Sequence, residues 1–202
     1  DPTNKNATIV DAYHQLGPTD YQRYIPRAFY YNAFLVISDR TLAKYGTMTA
    51  PFERFSDWND PDFPDKKVAN RLKLMQEVMF EKNTLLDIIK NYLEYESDGK
   101  NTIKKIAQQH QYLAVNKAVR KTLDVYSRKN ENRIGVVWHT TGSGKSLTMI
   151  LYTNTLSHIE ELENPTFLIL TDRRDLDEQL NHFFEIAGFP YPKPNTAILE
   201  AE

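Results

Sequence analysis

Residues 134–160 constrain this chain more than any other stretch. An apolar run, Ile134-Gly135-Val136-Val137-Trp138, leads into the loop His139-Thr140-Thr141-Gly142-Ser143-Gly144, and Lys145-Ser146 opens a segment that predicts a helix to about residue 160. Gly142 and Gly144 reach backbone angles closed to other residues. Lacking side chains, they let the loop close so that successive N–H groups point inward at the head of the following helix. A Gly-Ser-Gly-Lys-Ser run alone can be an incidental turn. A buried strand before it and a helix after it make it an anion cradle. In such a cradle Lys145 reaches the β- and γ-phosphates of a nucleotide and the Ser146 hydroxyl ligates Mg²⁺.

The pattern continues with Thr166-Phe167-Leu168-Ile169-Leu170 as a second strand and residues 175–187 as a second helix. Strand, loop, helix, strand and helix at this spacing predict a right-handed parallel βαβ unit, and hence an α/β fold. Everything downstream rests on the first strand delivering the glycine loop to the head of its helix.

Upstream, residues 7–24 read as helical with an interruption at Gly17-Pro18. Residues 33–38 read as a strand. Residues 57–65 form a loop. Val68, Leu72, Met75 and Met79, then Leu85, Ile88, Ile89, Tyr92 and Leu93, recur at helical spacing. The turn Ser97-Asp98-Gly99-Lys100-Asn101 marks a boundary between regions 1–98 and 99–202. After it Ile103, Ile106, Ala107, His110, Ala114 and Ala118 predict one face of a long helix.

Composition excludes several chemistries. There is no cysteine, which removes disulfides, thiolate zinc sites and cysteine nucleophiles. The five histidines show no paired ligand spacing. No apolar run approaches the roughly 18 residues of a membrane span. Net charge is −2, but residues 100–133 carry nine Lys/Arg against two acids, and residues 134–202 carry four against ten. The basic run is either a solvated helix face or a surface facing a polyanion.

The stretch Val136-Val137-Trp138-His139-Thr140-Thr141-Gly142-Ser143-Gly144-Lys145-Ser146-Leu147-Thr148-Met149 resembles the first helicase motif of type I restriction enzyme R subunits, which are superfamily 2 motors. His139 stands where the general eight-residue pattern has Gly, as in many helicase-type motors. Leu170-Thr171-Asp172-Arg173-Arg174-Asp175-Leu176-Asp177-Glu178-Gln179-Leu180 is similar to that family's next motif, which contacts the DNA backbone. Residues 110–119 and the N-terminal stretches 25–39 and 45–55 are similar to the family as well.

The resemblance implies an end of a nuclease domain with connecting helices over residues 1–98, and the start of a first RecA-like ATPase domain over residues 99–202. It implies ATP and Mg²⁺ as cofactors. Thr141, Gly142, Ser143, Gly144, Lys145 and Ser146 would hold the phosphates, and Lys145 and Ser146 would serve the chemistry. Gln111 either hydrogen-bonds adenine or serves a helix N–H or solvent. Thr171 and Arg173 would contact DNA. Gln15 either touches DNA or a nuclease-site partner, or packs; Tyr21 lies six residues on, where the family spaces its Gln and Tyr by four. Trp138 reads as core and His139 as a loop-packing residue.

Double-stranded DNA and the modification and specificity subunits of a restriction complex are the implied partners, in a prokaryotic cytoplasm. The nuclease acids and the second acidic motor motif are not recognisable in these residues, so the chain by itself is expected to be inactive as ATPase and nuclease. The alternatives are a general superfamily 2 helicase or translocase, a docking surface formed by residues 1–98, and, more distantly, a small-molecule kinase.

Overall fold

The computed structural model of the chain describes residues 7–39, 42–59, 71–97, 102–128, 133–170 and 184–185. Helix α1 (Ile9–Leu16) starts on a reciprocal cap. The Thr8 hydroxyl accepts from the Asp11 amide, and the Asp11 carboxylate accepts from the Thr8 amide at 2.7 Å. The helix stops at Gly17, as the Gly-Pro pair predicts. Helix α2 (Tyr21–Tyr24) and a 3₁₀ turn (Pro26–Phe29) lead into the hairpin of β1 (Leu35–Ser38) and β2 (Ala43–Gly46). Gly46 admits no larger residue, since a Cβ there would sit 2.7 Å from the Phe55 ring.

Helix α3 (Arg71–Leu74) widens into a π turn (Met75–Met79), and α4 (Lys82–Asn91) follows. Glu81 caps α4 by accepting from the amides of Asn83 and Thr84. Here the helical spacing read from sequence holds in part: Val68 lies outside the described residues, Ile89 is 42% exposed, and Leu93 leaves the helix for the next strand. Ile88 and Tyr92 are buried beside Met75 and Met79.

A second antiparallel hairpin, β3 (Leu93–Ser97) with β4 (Thr102–Ile106), then breaks the expected pattern. Residues 103–107 are not the start of the long helix; α5 begins at Gln109 and runs to Arg128. The reason is pairing. Glu96 bonds Lys105 across the strands, and β4 gains the backbone partner β3. The alternation of Ile103 and Ile106 with lysines fits a helix face only while that partner is unknown.

The two strands flank residues 98–101, which lie outside the described residues and where the sequence reading divides the chain. Both regions meet in one core. The buried Tyr45 hydroxyl donates to the Ala107 carbonyl at 3.0 Å, and Tyr45, Trp58, Met75, Tyr92, Val115 and Leu151 pack in a single cluster. Helix α6 (Lys145–Ser157) lies along α5, where the Thr122 and Tyr152 hydroxyls are 2.6 Å apart. A smaller cluster, with Ile9, Phe29, Leu35, Ile37 and Phe55, sits under α1.

The expected parallel sheet is not formed among the described residues. Both sheets are two-stranded and antiparallel. Residues 134–138 and 166–170 have no strand assignment, and Val136, Trp138, Leu168 and Leu170 are 91%, 88%, 85% and 85% exposed. Trp138 is therefore not core here. A strand requires a neighbour to take its N–H and C=O groups, and among the described residues neither segment has one. Of the second expected helix, only Phe184 and Glu185 are described, and both are helical.

Candidate functional site

The glycine loop sits where the sequence puts it, at the head of α6. Gly142 and Gly144 have φ of 80° and 81°, the left-handed region that favours glycine. Gly144 is the N-cap of α6 and offers no side-chain acceptor, so the first amides of the helix are left for another acceptor. The loop is braced from inside. The Ser143 hydroxyl donates to the Thr140 carbonyl at 2.7 Å, and the Ser143 amide donates to the same oxygen at 3.3 Å.

Lys145 turns back over this loop. Its ammonium donates to the carbonyls of His139 and Thr140 at 2.8 and 2.9 Å. These are exposed, easily exchanged contacts, and a lysine so placed neutralises carbonyl dipoles until a stronger acceptor arrives. Thr141 and Gly142 are exposed, and Ser146 is half-buried at the first turn of α6.

The first turn of α5 holds the loop from below. Gln111, 3% exposed, donates from Nε2 to the Gly144 carbonyl at 3.0 Å and accepts at Oε1 from the Gln108 amide at 2.8 Å. His110 Nε2 lies 3.1 Å from the Ser143 carbonyl oxygen. The Gln111 amide thus serves the Gln108 N–H and the loop backbone. The fit at Gly144 is close: a Cβ there would stand 2.6 Å from Gln111 Nε2. That cradle suits a group which must approach the backbone itself, as a phosphate does.

The His110 and His139 rings meet edge to face at 5.0 Å. Partial burial, the neighbouring His110 and Lys145 together hold the His139 imidazole below the ordinary histidine range. This disfavours the charged imidazole, and His139 packs against His110. The pairing joins residues far apart in sequence, and no local pattern announces it.

A cavity of about 390 Å³ opens beside the loop. Gly142, Ser143, Gly144, Ser146, Gln111 and Ile150 line one side, and the β3–β4 hairpin supplies Glu94, Tyr95, Ile103 and Lys104 on the other. Thr49, Pro51 and Arg54 of the N-terminal region close a third side. Sequence reasoning did not find Glu94. Its only sequence signal is a carboxylate beside the apolar Tyr92 and Leu93.

Gln15 and Tyr21 do not join this site. Gln15 is exposed on α1 and Tyr21 is 45% exposed on α2. The corner between those helices is fixed instead by Gln22, which donates to the Leu16 and Met48 carbonyls. Thr171 and Arg173 lie outside the described residues. On the basic run, Arg128 and Lys121 pair with Asp124 at 2.7 and 3.7 Å, as on a solvated helix face. Among the described residues no helix is long and apolar enough to cross a membrane.

Comparison with known proteins matches residues 110–200 to the SWI2/SNF2 ATPase family. The type I restriction enzyme HindI endonuclease subunit of Haemophilus influenzae is 40% identical over 189 residues, covering 91% of this chain and 18% of the relative. The type I restriction enzyme MjaIXP endonuclease subunit of Methanocaldococcus jannaschii is 32% identical over 202 residues, again 18% of its length. A stretch of 50 residues is 46% identical to the SauCOLORF180P endonuclease subunit of Staphylococcus aureus. The chain spans less than a fifth of the length of the first two relatives.

Proposed function

We propose, from the premise that this chain belongs with the endonuclease (R) subunits of type I restriction enzymes, that it carries the ATP-phosphate loop of a DNA translocase coupled to an endonuclease. The observation that carries the reading is the loop itself. Two left-handed glycines, a helix head with open amides and Lys145 folded over its carbonyls form an anion cradle. The similarity to the restriction subunits runs over 91% of the chain. The SWI2/SNF2 match begins only at residue 110. That difference supports the division into a nuclease-region end over 1–98 and a motor start over 99–202.

In this reading Gly142, Ser143 and Gly144 present backbone to the phosphates with Thr141 beside them. Lys145 leaves its two carbonyls for the β- and γ-phosphates, and Ser146 supplies a hydroxyl to the Mg²⁺ carried by the nucleotide. Bound Mg²⁺–ATP supplies the hydrolysable phosphoanhydride. Gln111 sets the position of the Gly144 carbonyl and so the pitch of the cradle. Thr171 and Arg173 contact the DNA backbone, which positions DNA without reading its sequence. Modification and specificity subunits are the partners, and DNA site choice belongs to them.

Residues 134–138 are exposed throughout, and residues 166–170 alternate between exposed and half-buried side chains. This supports their being strands of a RecA-like parallel sheet once further strands flank them. The 202 residues by themselves turn over neither ATP nor DNA. The general superfamily 2 translocase remains the second reading, favoured by the match over residues 110–200 alone.

Phosphate release by the intact protein, measured with duplex DNA and Mg²⁺, tests the proposal. DNA-stimulated turnover lost in Lys145→Ala is the expected result. Turnover that survives the substitution overturns the assignment of the loop.

A further inference from the structure

The geometry points to Glu94 as the residue that holds the sugar hydroxyls of a nucleotide whose phosphates lie in the 142–146 loop. The inference rests on the phosphate-loop reading and extends it to the other end of the ligand.

The cavity runs from the loop along α6 to the β3–β4 hairpin. Ser146, Leu147 and Ile150 line its wall, and one turn further on Asn154 donates from Nδ2 to Glu94 Oε1 at 3.3 Å. Eight residues of helix separate Ser146 from Asn154, about 12 Å of rise. That is comparable to the reach of an extended nucleotide from its terminal phosphates to its sugar.

Among the carboxylates lining the cavity, Glu96 is engaged by Lys105. Glu94 has no ion pair among the described residues, and Asn154 takes only one of its oxygens. It is half-buried, and that burial pushes its carboxyl above the usual carboxylate range. A group carrying this desolvation load without a cation calls for neutral hydrogen-bond donors. Beyond its phosphates, a nucleotide offers such donors in the adjacent hydroxyls of the ribose, which a carboxylate can accept from together. Tyr95, Ile103 and Ile106 add apolar surface on the same side, suited to the face of a base. Arg54 and Lys104 offset the two glutamates, so the cavity as a whole does not repel a polyphosphate.

Titration calorimetry on the intact protein with ATP, 2′,3′-dideoxy-ATP, ITP and inorganic tripolyphosphate separates the possibilities. The intact protein should bind ATP about tenfold or more tighter than the dideoxy analogue, the scale of a lost charged hydrogen bond. Glu94→Ala should bring ATP down to the dideoxy level and leave tripolyphosphate affinity unchanged. Asn154→Ala, which spares the carboxylate, should keep the preference for ribose. An unchanged ATP-to-dideoxy ratio in Glu94→Ala overturns the proposal. So does a loss of ATP-over-ITP preference in its place, which would make Glu94 a reader of the base. Glu94→Gln keeps the side-chain shape and guards against misfolding; it should lower the same ratio partway. Tripolyphosphate binding indifferent to Lys145→Ala would instead remove the phosphate loop itself, a separate failure.

Discussion

Gln111 and Gly144, 33 positions apart in sequence, are joined by a hydrogen bond of 3.0 Å that ties the start of α5 to the head of α6. The Gly144 carbonyl also accepts from the Thr148 amide at 3.1 Å, so it is not orphaned when Gln111 is removed. The Gln108 amide has no such reserve. It depends on Gln111 Oε1.

Replacing Gln111 with Leu should therefore cost about 1–3 kcal/mol, the scale of a buried donor left unsatisfied. Urea denaturation measures it. Nucleotide affinity should fall as well, because the cradle loses its brace. A variant with unaltered stability and affinity would show that the bond is incidental.

Gly144→Ala combines two penalties. A Cβ would meet Gln111 Nε2 at 2.6 Å, and alanine would be held at φ 81°. Strain of this kind costs on the order of 1–3 kcal/mol. The expected result is a lower melting temperature together with loss of ATP binding by calorimetry. Gly142→Ala meets no atom within 4 Å and carries the angle penalty alone, so it should be the milder change.

Two buried tyrosines should respond in opposite ways to losing a hydroxyl. Tyr45 donates to the Ala107 carbonyl, whereas the buried Tyr92 hydroxyl has no hydrogen-bond partner among the described residues. Tyr45→Phe should destabilise by about 1 kcal/mol or more, since it leaves an unpaired buried carbonyl. Tyr92→Phe should be neutral or stabilising. Equal effects in denaturant titrations would contradict the pairing.

His139 gives a pH signature. Its folded-state pKa lies below the ordinary histidine value, so the unfolded chain binds the proton more readily. The loop's stability from neutral His139 is complete above about pH 6.5 and is lost as pH falls through the depressed folded value. NMR titration should find His139 below the ordinary range, and His110→Ala should move it upward.

Glu94 has the opposite sign. Its folded pKa is raised, so its ionised form burdens the fold at neutral pH, and its contribution is complete only in acid. Glu94→Gln should raise the melting temperature slightly near pH 7.5 and leave it unchanged near pH 4. The effect is small, because the side chain is only half-buried.

What the sequence disclosed follows from range. Helices α1, α4 and α6 announce themselves through the Gly17-Pro18 break, the spacing of Leu85, Ile88 and Tyr92, and the glycines before Lys145, all local signals. The glycine loop is legible for the same reason. Strand β4 was hidden, because Ile103, Ile106 and Ala107 satisfy a helical period and only β3 reveals otherwise. The brace from Gln111, the ring contact of His110 with His139 and the place of Glu94 all join distant segments. Residues 134–138 show the converse. Their composition is that of a strand, yet strand structure belongs to a pair, and composition cannot supply the second member.

The bare side chains of Val136, Trp138, Leu168 and Leu170 also bear on how such a chain behaves in solution. Exposed apolar side chains gathered in one surface favour self-association. At high concentration the protein would clump through these four side chains wherever nothing covers them.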